Sequence, residues 1–280
     1  IEIDGNFLQP SIAQNIIIKK NEEKKIKLFH LKKEHYIKGE NYLNKVGLKK
    51  NNWYVTLHVR DKNYRLFEKN ENFRNADIKD YIPAINEIVN AGGFVFRVGH
   101  VGSNQLPKIK GLIDYANSED KSEILDIFLG ATSKFCIATS SGYYIIPSFF
   151  SVPILMTNCP QHSVFFELTS NDIYLPRIFK SSIDNKMIKI TKLFQPPYNN
   201  LFSDKLFDQL NLDVVKNTHN EIRLATKEII DRLFNNKKKQ SDLQFKINKK
   251  IEHEQLRIGN NLTAVCNISD NFLEKNLDLF

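Results

Sequence analysis

Three stretches decide the fold: Leu57-His58-Val59-Arg60-Asp61, Phe73-Arg74-Asn75-Ala76-Asp77, and Phe135-Cys136-Ile137-Ala138-Thr139-Ser140-Ser141-Gly142. In the first, Val55, Leu57 and Val59 alternate with Thr56 and His58, the period of a strand over Trp53 to Val59. In the third, an apolar run over Lys134 to Ala138 breaks into small hydroxyl residues and then an apolar helix. Polar clusters at strand ends are where an α/β sheet binds its ligand. Here they offer cations, hydroxyls and free backbone N–H groups, which suit a phosphorylated, sugar-bearing molecule.

The pattern outward from these stretches is βαβ-like. Asp77 or Asp80 can cap a helix running to Ala91, with Tyr81, Ile85, Ile88 and Val89 on one face, and Gly92-Gly93 ends it. Phe94 to Val98 reads as the next strand. Ser122 opens a helix with Ile124, Leu125, Ile127, Phe128 and Ala131 inward. Tyr143 to Phe150 reads as a helix and Pro153 to Met156 as a strand. This order predicts an α/β fold with an open, doubly wound parallel sheet over 51–240. Residues 1–50 read as a partial N-terminal lobe, with a short strand at Asn15–Ile18 and a helix from Glu34 to Val46 that carries Tyr36, Ile37 and Leu43 on one side. Beyond Pro160 the pattern loosens until a helix over Asn220–Phe234. Residues 241–280 read as a helical extension whose last helix, Asp270 to Leu277, is capped by Ser269.

The chain has 280 residues, 41% hydrophobic and 26% charged, enough for one sizeable core. No apolar stretch reaches membrane-spanning length and no signal peptide is read. The net charge of +8 comes from 40 basic residues of which only eight are Arg, and the Lys are dispersed. That pattern argues against nucleic acid as a partner, since such binding needs a basic patch and falls steeply with salt. The one dense run, Lys237-Lys238-Lys239, allows weak association with an anionic membrane surface. Three scattered cysteines, Cys136, Cys159 and Cys266, form no disulfide framework and no metal spacing, which fits a reducing cytoplasm.

Each candidate residue has a functional and a structural reading. His58 and Arg60 share a strand face and reach the sheet edge together; Arg suits phosphate and His can act as acid, base or donor. Alternatively Arg60 and Asp61 pair locally. Arg74 and Asn75 precede a helix that Asp77 can cap. Arg97 and Gly99 end the next strand and add another cation. Asp114 and Tyr115 stand in a loop that can meet a base or ribose, or simply pack. Thr139, Ser140, Ser141 and Gly142 lie at a helix start, where free N–H groups and the dipole favour an anion. They also serve as plain capping. Glu221 can touch a ribose or fill a first helical turn. There is no GxxxxGK[ST] loop, no GxGxxG opening the first helix, no Asp-x-Asp and no Gly-x-Ser-x-Gly, so no cofactor or metal is expected.

Taken together, these segments resemble a family of bacterial glycosyltransferases encoded with surface-polysaccharide genes. The matching pieces also include Tyr64, Tyr81, Ile113-Asp114-Tyr115-Ala116, Lys121-Ser122, Leu125 to Leu129 and Ile268-Ser269-Asp270-Asn271-Phe272-Leu273. A more distant likeness is to nodulation and protein O-fucosyltransferases, which share a His-x-Arg strand end and a later hydroxyl turn in a GT-B-type nucleotide-sugar lobe. In them the strand-end Arg serves the donor diphosphate, a role that falls on Arg60 here. Asp61 follows Arg60 where that family has a second Arg, which puts a GDP-sugar in doubt. The resemblance implies a transferase. Together with the cationic strand ends, it leads to an expectation of metal-independent transfer from a nucleotide-sugar donor to a glycan or lipid-linked acceptor, in the cytoplasm or at the inner face of the membrane. Asp61 or His58 would be the base, or would orient Arg60. It also implies an acceptor lobe, small or truncated in residues 1–50 or supplied by a partner. The rival expectations are a non-catalytic nucleotide-sugar or glycan-binding module, and a transferase of a pyruvyl or phosphopolyol group.

Overall fold

The computed structural model describes residues 2–3, 6–7, 29–63, 69–102, 106–235, 240–260 and 262–280. The expected strand at 15–18, the Lys237–Lys239 run and Tyr64 lie outside them. Two short strands, β1 (Glu2–Ile3) and β2 (Asn6–Phe7), pair antiparallel. Then come α1 (Lys33–Lys45), β3 (Tyr54–His58), α2 (Ile82–Asn90), β4 (Phe94–Val98), β5 (Leu112–Ile113), α3 (Glu123–Thr132), β6 (Cys136–Ala138), α4 (Ile145–Phe149) and β7 (Ile154–Cys159). The remainder comprises β8 (Ile173–Pro176), β9 (Ile178–Ser181), α5 (Ile190–Leu193), α6 (Asp204–Gln209), β10 (Leu212–Val215), α7 (His219–Phe234), α8 (Asp242–Arg257), β11 (Asn267–Ile268) and α9 (Asp270–Lys275).

Seven strands form one sheet in the order β11-β8-β7-β6-β3-β4-β5, every pairing parallel. Counted from β3, the chain first steps outward to β4 and β5, then returns to the other side of β3 for β6, β7, β8 and β11. The sheet is therefore doubly wound, and its order reverses between β3 and β6. Such a reversal point, beyond the carboxyl ends of two adjacent strands, is where open α/β sheets bind their ligands. All six residues of β7 are buried, as a parallel strand covered on both faces requires.

The alternation in β3 divides the core. Val55, Leu57 and Val59 pack with Ile85, Ile88, Ile222 and Ile229, so α2 and α7 cover one face. Tyr54 packs with Phe96, Leu125, Phe128 and Tyr42, so α3 and α1 cover the other. The polar phase of β3 thus points into a second core layer, with Thr56 fully buried, and not to solvent.

Several expectations need correcting. In α1 the buried residues are Gly39 and Tyr42, while Tyr36 and Ile37 are exposed. The reason is close approach: a Cβ on Gly39 would lie 2.2 Å from the Phe128 ring, so the glycine face is the one that docks. The segment after Gly142 is a 3-10 turn (Gly142–Tyr144) followed by the five-residue α4, not one helix from Tyr143 to Phe150. Pro147 lies inside it and lacks a backbone N–H. The C-terminal region is not purely helical. It supplies β11, the edge strand of the sheet, and Glu228 of α7 holds it there by accepting from Ser269 Oγ at 2.8 Å and the Asp270 N–H at 3.0 Å. Beyond Pro160, β8 joins the main sheet, while β9 and β10 pair antiparallel beside it. No described helix is long and apolar enough to cross a membrane.

Candidate functional site

The carboxyl ends of β3 and β6 are stitched together one residue past their last pair. His58 lies level with Ala138 and Val98. Beyond it, the Thr139 N–H donates to the His58 carbonyl at 3.1 Å, and the Arg60 N–H donates to Thr139 Oγ1 at 2.9 Å. Thr139 is fully buried, so it fixes the strand ends and presents nothing to a ligand.

Arg60, only 5% exposed, is brought against the Lys69–Arg74 segment. Its Nε donates to Asn75 Oδ1 at 3.3 Å, its Nη2 lies 2.9 Å from Glu71 Oε2, and its carbonyl accepts the Ala76 N–H. Arg74 reaches the same place from the other side. Its Nη1 donates to Glu71 Oε2 at 2.9 Å, while Nε and Nη2 both donate to the Ser140 carbonyl, at 2.9 and 2.7 Å. Ser140 Oγ bonds Gln161 Oε1 in turn. Residues from β3, the 69–76 segment and the β6 turn therefore form one cluster. Arg60 thus pairs with Glu71, a residue eleven positions on.

Asp61 belongs to a second cluster. It is 1% exposed, with Oδ2 3.8 Å from Arg97 Nη2 and Oδ1 3.5 Å from His100 Nε2. Arg97, buried at the end of β4, donates on to Asp114 Oδ1 at 3.1 Å. Asp114 also accepts from Asn117 Nδ2 at 2.9 Å. Tyr115 is not in this edge. Its ring is fully buried against Tyr42, and its hydroxyl donates to the Ser122 carbonyl, because the 3-10 turn it opens points it into the second core layer. Gly99 has φ +140, a value that favours glycine, and its Cα faces the His58 ring.

His58 stands between the clusters. Its ring stacks on Tyr143 at 5.3 Å, and its Nδ1 is buried without a hydrogen-bond partner. Burial, and then the positive charges of His100, Arg97, Lys121 and Arg60, push its pKa down to about 3. The imidazole is therefore neutral and keeps a free acceptor.

The hydroxyl turn is weaker as an anion site than its sequence promises. The helix it introduces is too short to sum a useful dipole. Ser141 takes the cap position without a side-chain cap bond, and a Cβ on Gly142 would meet open space. Its contribution is the Ser140 carbonyl that aims Arg74. Glu221 is the N3 residue of a capping box with Thr218, which accounts for it without a ribose.

Three residues were missed from sequence. Glu71 carried one signal, its i,i+3 spacing to Arg74. His100 directly follows the Arg97–Gly99 strand end. Arg177 follows β8 as Arg60 follows β3, but lies where the strand pattern was no longer readable. It is 1% exposed and donates to the carbonyls of Phe73 and, at 2.7 Å, Asn75, and through Nε to Asn158 Oδ1 at 3.1 Å. Burial pushes its pKa down to about 10. Its role is to clamp the backbone on both sides of Arg74.

Among the described residues, no group of three or more His, Cys, Asp or Glu is placed to hold a metal ion. Comparison of the chain with protein-family models, curated proteins and solved structures finds no match.

Proposed function

We propose that this protein is a glycosyltransferase that moves a sugar from a nucleotide-sugar donor to a glycan or lipid-linked acceptor in surface-polysaccharide synthesis. The observation that carries the reading is the convergence of Arg60 and Arg74 at the point where the strand order reverses, the crevice an open α/β sheet offers to a ligand. Transfer breaks the bond between the anomeric carbon and the diphosphate, and negative charge grows on the leaving oxygen. Fixed guanidinium groups stabilise that charge without reorganising, a role that does not call for a metal ion. Arg97 adds to the field from the neighbouring strand.

The acceptor hydroxyl must lose a proton as it attacks. His58, whose Nδ1 is buried without a partner, is the candidate for that role, and its depressed pKa makes it a weak base until charge develops beside it. Asp61 is a positioning residue in this scheme, since Arg97 and His100 bracket it out of reach of solvent. That same engagement favours a second reading, a non-catalytic nucleotide-sugar-binding module. The bacterial polysaccharide context rests on the sequence resemblance.

The test is a thermal-shift screen against UDP, GDP, CMP, CDP and dTDP, with and without EDTA, on the wild type, Arg60→Ala and Arg74→Ala. A ligand at one hundred times its Kd stabilises by about 2.7 kcal/mol, which a melt resolves. One selective shift, insensitive to EDTA and lost in Arg74→Ala, supports the donor site, and release of free nucleotide with an acceptor present separates transferase from binding module. Absence of any nucleotide shift sinks the reading.

A further inference from the structure

Arg60 and Arg74 share a counter-ion. A single oxygen, Glu71 Oε2, lies 2.9 Å from Arg60 Nη2 and 2.9 Å from Arg74 Nη1. Two guanidinium N–H groups focused on one oxygen is how an arginine pair grips a phosphoryl oxygen. We propose that Glu71 is an internal stand-in for the ligand. Its carboxylate holds the place of a diphosphate oxygen and is displaced when the diphosphate binds. The inference rests on the diphosphate reading above.

The way each group is anchored supports displacement. Neither arginine depends on Glu71 for its place. Arg60 is held by Thr139 through its backbone and by Asn75 through Nε. Arg74 is held by the Ser140 carbonyl, and Arg177 clamps the carbonyls of Phe73 and Asn75 on either side of it. The backbone just after Glu71 is also pinned, because Asp204 of α6 accepts the Asn72 N–H at 3.0 Å and the Phe73 N–H at 2.8 Å. Glu71 itself marks a break, with φ −130 and ψ 27 inside an otherwise 3-10 segment. Its side chain is 29% exposed against 5% for Arg60, so the carboxylate has solvent to move into and the arginine does not.

The energetics favour the same sequence of events. A partly exposed ion pair contributes little, whereas a diphosphate brings several charged acceptors to the same two donors. Glu71 thus acts as a threshold. A weak monoanion does not dislodge it, and a diphosphate does. This makes Glu71 a determinant of anion selectivity, and it keeps two inward-facing arginines compensated when no donor is present.

Calorimetric titration with inorganic pyrophosphate and with orthophosphate, at fixed ionic strength, compares the wild type with Glu71→Gln. The variant should bind pyrophosphate about fivefold more tightly, as expected from removing a partly exposed ionic competitor. Its preference for pyrophosphate over orthophosphate should shrink. Equal or weaker pyrophosphate binding by the variant overturns the inference, because Glu71 would then be aiming the arginines, while the diphosphate reading stands. If neither protein binds pyrophosphate, the diphosphate reading falls and takes the inference with it. A second measurement needs no variant: carbodiimide labelling of Glu71 in the wild type should rise when pyrophosphate is added, and unchanged labelling under saturating pyrophosphate overturns displacement.

Discussion

Acidification from pH 7.5 to 5.0 should destabilise this protein, and a large part of the loss should trace to His162. Its ring is fully buried between Phe179, at 5.1 Å, and Phe194, at 5.6 Å. Nδ1 meets the Tyr174 hydroxyl at 2.9 Å, and Nε2 has no partner. Burial pushes its pKa down to about 3. The unfolded chain returns the imidazole to about 6.5. Above that value both states are neutral and His162 adds no pH dependence. Below it the unfolded state binds a proton the folded state refuses, so stability falls with pH until both are protonated near 3. Linkage over this range gives a loss of about 2 kcal/mol between pH 7.5 and 5.0 from this one residue. His162→Leu removes the titrating group, and the Tyr174 hydroxyl keeps the Cys159 carbonyl as its acceptor at 3.3 Å. Urea unfolding of both proteins at the two pH values gives a difference of differences in which all other titrating groups, His58 included, cancel. The variant should retain about 2 kcal/mol more of its neutral-pH stability at pH 5.0. Parallel losses in the two proteins would mean that His162 takes up its proton while folded, and would refute the burial argument.

The same logic makes His58 silent in the ligand-free protein. Its imidazole proton resonances should not titrate between pH 5 and 8, and a midpoint near the ordinary value of about 6.5 would remove the case for a neutral acceptor in the crevice. Gly39→Ala drives a methyl group to within 2.2 Å of the Phe128 ring and should cost about 1–3 kcal/mol in urea unfolding, despite alanine's better helix propensity. Unchanged stability would show that α1 does not dock on α3 through this face. Glu228→Gln removes the negative charge that compensates the nearly buried Arg232 at 2.6 Å and should cost about 3 kcal/mol. Hydrogen exchange should then rise first in Asp270–Lys275, whose first amide Glu228 caps, and uniform exchange would refute that coupling.

What was legible in the sequence follows the range of the interactions involved. The β3, β4, β6 and β7 strands and the α2, α3 and α7 helices carry their periodicity and caps within a dozen residues, so a linear reading finds them. Two-residue strands such as β5 and β11 have too few positions to show a period and exist because a neighbouring strand offers a parallel edge. The docking face of α1 was misread because hydrophobicity marks Tyr36 and Ile37, while the geometry rewards the absence of a side chain at Gly39. The turn after Ser140 was over-read because a run of apolar residues imitates a helix although Pro147 and the 3-10 start shorten it. The site divides the same way. An arginine at a strand end is visible because sheet topology sends every such residue to one edge, and Arg60 and Arg97 are legible on that basis, while Arg74 stands out as a cation in the loop before a helix. For Arg60 and Arg97 the neutralising carboxylate is set by tertiary packing, while Arg74 has a local one, Glu71 at i−3. Arg60 pairs with Glu71, and Asp61 meets Arg97 and His100 on the next strand and its loop. Sequence therefore locates the cations of a site more readily than its net charge. That net charge, and what must leave before an anion can enter, depends on pairings such as the one at Glu71 Oε2.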